Sequence, residues 1–228
     1  MPSEIEATAV ATALMAIQED FIAINDVLHK VHCKIADELD RILRRDMFYS
    51  DVDISACSKL RLLNDYTIKL RRLVTKTRSL HYVLLNVRRR PSIKMADIVF
   101  HICSESFHEK VEEVLAMVTE YYGQMSDLKD MVIDDIYAYL DEFGENIDNP
   151  TMVCFDDIDR LICKVMPGMA YVENTLHDCY KHKLNALRKT CGLVPIHCAK
   201  KELESELRAV RVRSLRYPTV VIRHEQDT

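Results

Sequence analysis

Glycine and proline are scarce in this chain, with 4 Gly and 6 Pro among 228 residues, and tryptophan is missing altogether. Sheet proteins and loop-rich enzymes need turn residues at each reversal, so this scarcity points to an all-α fold. The four glycines, Gly123, Gly144, Gly168 and Gly192, lie at least 20 residues apart. That spacing excludes a phosphate-cradling Gly-rich loop and a dinucleotide fingerprint. A G-x-S-x-G nucleophile elbow is also missing. The 8 cysteines include no C-x-x-C pair, and a chain this long and apolar does not need a disulfide scaffold. Reduced, buried thiols are the expected state. No run of 18 apolar residues occurs, and Glu4 and Glu6 interrupt the N-terminal segment, so neither a membrane span nor a signal peptide is expected. Together these features lead to the expectation of an intracellular protein, in cytoplasm or nucleus.

What the chain does have is 48% hydrophobic and 29% charged residues, enough to bury a core. Its net charge of −5 hides a strong blockwise pattern. Residues 58–94 carry eleven Lys or Arg and one acid, Asp65. Residues 97–159 carry seventeen Asp or Glu and two Lys, and residues 181–217 carry ten basic and three acidic residues. Such alternation sets register and partner choice between helices.

Leu63, Tyr66, Leu70, Leu73, Thr77, Leu80, Leu84 and Val87 recur at spacings of three and four, the stripe of a long amphipathic helix. Leu62, Val74 and Val83 are expected to widen that stripe beyond a coiled-coil seam. A similar stripe begins at Val10 and runs through Leu14, Ile17, Phe21, Ile24, Leu28, Val31 and Ile35. It resumes after a four-residue stutter at Leu39 and Ile42. Residues 46–53 break the pattern, and Ser50, Asp51 and Asp53 suit a turn and a helix N-cap. The first two helices should therefore form an antiparallel hairpin. A third helical region is expected over residues 93–143, with a break or kink near residues 123–126. Gly144, Asn146, Asn149 and Pro150 mark its end. A fourth should start near Phe155, with a kink or a division into two shorter helices at Pro167 and Gly168. A last helix is expected over residues 198–215, followed by a β-prone tail at 219–223.

The sequence thus predicts long amphipathic helices in an antiparallel bundle or an elongated coiled-coil arrangement. The regions are an N-terminal hairpin (1–90), an acidic helical region (91–149), a C-terminal helical region (150–217) and a tail (218–228).

Several constellations resemble chemical sites. His29, His32 and Cys33 lie within one helical turn, His177, Cys179 and His182 form a second cluster, and His197 with Cys198 a third. None supplies four zinc ligands at a known spacing, so chance placement of Cys and His is the expected reading. Glu105 and His108 have the Glu-x-x-His spacing of a di-metal helix, but only one copy exists. No metal, cofactor or catalytic residue is therefore expected. The basic face of the second helix is the remaining candidate. Lys69, Arg72 and Lys76 line up on it, and Arg88, Arg89 and Arg90 close it, while Leu63, Tyr66, Leu70 and Leu73 offer the apolar contact. The leading expectation is a non-enzymatic helical scaffold or interaction subunit of an intracellular multiprotein assembly. Its partners would be other helical proteins or a second copy of the chain. The alternative is a nucleic-acid-associated helical protein using the basic face of residues 59–94 and the basic C-terminal helix. A helical-bundle enzyme is the third reading.

Overall fold

Every element that the computed structural model places is helical, and it describes residues 4–46, 54–89, 95–145 and 148–193. The chain divides into two units, Met1–Pro195 and Ile196–Thr228, and the second lies outside the described residues. The expected last helix and the β-prone tail fall there.

Four long helices carry the fold: α1 (Glu4–Asp46), α2 (Ile54–Arg89), α4 (Glu105–Phe143) and α5 (Pro150–Asp178), with a short α3 (Met95–Ile102) between α2 and α4. A π-helical segment, Cys179–Leu184, carries α5 into the short α6 (Asn185–Thr190). The long helices form a ring in which α1 touches α2 and α5, and α4 touches the same two. Side-chain pairs set the directions. Lys59, Lys69 and Lys76 of α2 meet Asp135, Gln124 and Glu113 of α4, in descending order. On the opposite seam, Asp20 of α1 meets Lys183 and Arg41 meets Asp157. Asp26 of α1 lies near enough to His81 of α2 to act on its charge, as Arg71 does on His32. Thr119 of α4 donates to Glu173 of α5, and His108 packs on Tyr180. Each helix is therefore antiparallel to both neighbours, the up-and-down bundle that short connections favour.

The periodic stripes supply the interior. From α1, Ile17, Phe21, Ile24, Leu28, Val31 and Ile35 are buried, and so are Leu39 and Ile42 beyond the stutter. From α2, Leu63, Leu70, Leu73, Thr77, Leu80 and Leu84 are buried. The widening is narrower than expected: Val74 is buried, but Leu62 and Val83 are 45% and 38% exposed. A helix in a four-membered ring touches only two neighbours, and the arc they cover does not reach those two positions. The side chain of Val87 lies outside the described residues.

The breaks differ from expectation in a consistent way. The third region divides at Cys103–Ser104, and α4 then runs unbroken through Gly123. Ser104 caps α4, its hydroxyl accepting from the Phe107 amide at 3.3 Å, with Glu105 in the first turn. A single interior glycine costs about 1 kcal/mol. A helix buried along its length against two neighbours absorbs that. Gly144, at φ 70°, ends α4 and donates its amide to Leu140. Helix α5 starts at Pro150, five residues before Phe155, because Asn149 caps it by accepting from the Thr151 amide at 2.9 Å and proline is preorganised for the first helical position. Nor does α5 stop at Pro167 and Gly168; it continues to Asp178. The irregular hydrogen bonding appears one helical stretch later, in the π segment.

Candidate functional site

On α2, successive side chains rotate by about 100° around the axis, and the basic residues separate into two sets. The lysines turn toward the acidic α4. Lys59, only 7% exposed, forms an ion pair with Asp135 at 2.5 Å. The Lys69 ammonium donates to Gln124 Oε1 at 2.9 Å, and the Gln124 amide in turn donates to Glu120 at 2.7 Å. Lys76 forms an ion pair with Glu113. The arginines turn outward. Arg61, Arg71, Arg72 and Arg78 are exposed, and none of them has an ion pair among the described residues. They share one side of the helix, an arc of roughly 120°, with the exposed Ile68 and Tyr82.

Leu63, Tyr66, Leu70 and Leu73 lie inside the bundle, each under 5% exposed. The Tyr66 ring meets Tyr121 edge-on at 6.2 Å, and its hydroxyl has no hydrogen-bond partner among the described residues. Burial, with Tyr121 alongside, drives its pKa well above the ordinary tyrosine range. Arg88 and Arg89 form the last turn of α2; their side chains, and Arg90 altogether, lie outside the described residues.

The Cys and His clusters remain scattered. Cys33 Sγ lies 3.7 Å from His29 Nε2. Burial, and then the neighbouring His29 and Arg71, hold the His32 pKa below its ordinary value. Cys179 is fully buried and His182 exposed, so the second cluster does not converge. His197 and Cys198 lie outside the described residues. Among the described residues, no group of three or more His, Cys, Asp or Glu side chains is gathered as a metal site would require. Of the Glu105–His108 pair, Glu105 is exposed and His108 is buried against Tyr180.

A cavity of about 430 Å³ lies between α1 and the start of α5, lined by Glu38, Arg41, Asp156, Asp157, Arg160 and Lys164 among others. Five of its charged side chains engage one another. Arg41 bonds Glu38 at 2.5 Å and Asp157 at 3.3 Å, and Arg160 pairs with Asp156. The Glu38 bond, against the pull of burial and with help from Asp157, raises the Arg41 pKa. Such a cavity presents matched ions rather than an apolar pocket with a few convergent polar groups.

One constellation escapes sequence reasoning. At the end of the bundle where α3 turns into α4, the buried Cys103 lies near the Cys191 thiol, which follows α6. The buried Arg188 donates from Nη1 to the Cys103 carbonyl, joining the same two segments. Burial, and then the neighbouring Cys191, push the Cys103 pKa up to about 12, while Arg188 pulls the other way. One residue beyond the first turn of α4, the His108 ring donates from Nδ1 to the Ser104 carbonyl at 3.2 Å and packs edge-on against Tyr180 at 6.0 Å. Its Nε2 has no partner among the described residues. Burial, then Arg188, lower its pKa, and the Ser104 bond offsets only part of this, so the ring is held neutral. The π segment supplies Tyr180 and Leu184 to this end. No spacing in the sequence announces the cluster, because its members come from the α3–α4 turn and the start of α4 on one side and from the π segment and α6 on the other. No family model matches the chain, nor does any curated protein or solved structure.

Proposed function

We propose that this chain is a non-enzymatic helical interaction subunit of an intracellular multiprotein assembly, and that it binds an acidic helical partner through the outer face of α2. The observation that carries this reading is the separation of lysine from arginine on that helix. The lysines are engaged by α4. The four arginines, with Ile68 and Tyr82 between them, are left outward without an ion pair among the described residues. Exposed arginine and tyrosine beside an aliphatic side chain are the residue types that anchor protein interfaces. Electrostatic complementarity from four like charges would act mainly on the association rate.

The same arginines favour one competing reading, contact with nucleic-acid phosphates. Against it stands the aliphatic Ile68 exposed among the arginines, which a phosphate backbone leaves uncovered and a helical partner buries. The test is charge reversal in the full chain, Arg61→Glu with Arg72→Glu and Arg78→Glu. Affinity capture from native cells should recover at least tenfold less of the acidic helical partner, with helicity by circular dichroism unchanged. Unaltered capture would overturn the proposal. So would duplex binding by the unmodified chain that weakens about a hundredfold between roughly 50 and 200 mM salt, as four phosphate contacts require.

A further inference from the structure

Two thiols that lie far apart in the sequence meet at the α3–α4 turn, and neither belongs to the proposed interface. We propose that Cys103 and Cys191 are a disulfide-forming modification site, oxidised by a hydroperoxide and closed into a bond that ties the α3–α4 turn to the end of α6.

Three observations of position carry this. The Cys103 and Cys191 side chains lie close enough to act on one another. The two backbone segments are also held together at the same point by the Arg188 bond to the Cys103 carbonyl, so the approach does not depend on the thiols alone. Both cysteines sit at helix ends rather than in mid-helix. Cys103 follows α3, its amide bonded to Val99 at 2.8 Å, and Cys191 follows α6 just before Gly192, whose φ is 72°. The small backbone adjustment that disulfide geometry demands is easier there than inside a helix.

Exposure assigns the roles. Cys191 is partly exposed and Cys103 is 2% exposed, so the oxidant meets Cys191 first. The Cys191 thiolate attacks one hydroperoxide oxygen. The O–O bond breaks, the alcohol leaves with a proton, and sulfenic acid remains on Cys191. The Cys103 thiol, losing its proton, attacks that sulfur. The S–O bond breaks and the hydroxyl leaves as water, giving one disulfide with the peroxide reduced by two electrons. The attack requires the thiolate of Cys103, which burial disfavours. Closure is therefore faster in mildly alkaline than in neutral buffer.

The experiment uses the full chain, purified in reductant and treated with hydrogen peroxide in slight excess. Remaining thiols are then alkylated and the digest is read by mass spectrometry. The expected product is the Cys103 peptide joined to the Cys191 peptide, two hydrogens lighter than the sum, and released by dithiothreitol. It should persist in Cys163→Ser, which removes an exposed competitor, and vanish in Cys191→Ser. The thermal midpoint of the original chain should rise on oxidation, and that of Cys191→Ser should not. Cys103→Ser should behave like Cys191→Ser. If the buried Cys103→Ser variant does not fold, the partly exposed Cys191→Ser alone decides. Alkylation of both Cys103 and Cys191 after the other thiols have oxidised would overturn the proposal, as would linkage of either to a different cysteine.

Discussion

A methyl group at position 168 would stand 2.9 Å from Val31 Cγ2 and 3.3 Å from Val27 Cγ1. Both valines belong to α1, and a helical valine has essentially one rotamer, so neither can swing aside. Gly168 thus sets how closely α5 approaches α1. Gly168→Ala should lose about 1–3 kcal/mol to overpacking against a helix-propensity gain of about 1. Urea denaturation should therefore show a net loss, and the same substitution in a Val31→Ala background should show little or none. Gly123 is the opposite case, since an added methyl there meets nothing within 4 Å. Gly123→Ala should gain about 1 kcal/mol by the same measurement. His108 acts through charge instead of shape. Its folded pKa lies below the ordinary 6.5, so the unfolded chain takes up the proton first as pH falls. The stabilising contribution of the neutral ring is complete above about pH 6.5. It declines below that, toward the folded pKa, by up to about 1.4 kcal/mol per pH unit. Stability measured between about pH 7.5 and 5.5 should fall less steeply in His108→Phe, which keeps a ring against Tyr180 and cannot titrate. His32 and His81 are shifted in the same direction, so some slope should remain.

At the scale of an element, α2 separates charges that do different work. Lys59 is 8% and Asp135 30% exposed at the side chain, whereas for Lys76 and Glu113 the values are 43% and 55%. Removing Lys59 strands a half-buried carboxylate, so Lys59→Ala should cost about 1–3 kcal/mol, discounted from the cost of a fully buried pair because Asp135 keeps some water. Lys76→Ala breaks a solvated pair and should cost less than about 1 kcal/mol. Paired denaturation curves check the contrast. Elements also show why part of the fold was readable. Burial on a helix is a local pattern, so the stripes of α1 and α2 name their own buried residues, from Ile17 to Leu84. Breaks are a contest between local signals and packing, and the sequence lists only the signals. Gly123 and Pro167 suggest helix ends, but burial on two sides carries both helices on through them. Ser104 followed by Glu105 was the better signal, a capping residue before an acid, and α4 does start there.

For the whole molecule, the alternation of charge between chain segments was legible and matters, because the basic α2 and acidic α4 lie side by side. Which basic residues meet α4 and which face out was not legible, since that depends on where α2 is rotated in the ring. The thiol cluster was illegible for a stronger reason. Cys103, Arg188 and Cys191 come together only once α3, the π segment and α6 have all been placed. The ring has a further property. Three of its seams join helices consecutive along the bundle, so a connecting segment crosses each of them. The seam between α1 and α5 has none. Its contacts, Asp20 to Lys183, Val27 and Val31 to Gly168, and Arg41 to Asp157, join distant parts of the chain. Closing a loop costs about 0.6 kcal/mol for each doubling of its length. Bringing Arg41 to Asp157 closes a loop roughly four doublings longer than the turn between α1 and α2, an extra cost of about 2 kcal/mol. The first and last long helices therefore meet at the greatest expense in chain entropy. The close fit at Gly168, with an ion pair toward either end of the seam, is what offsets it.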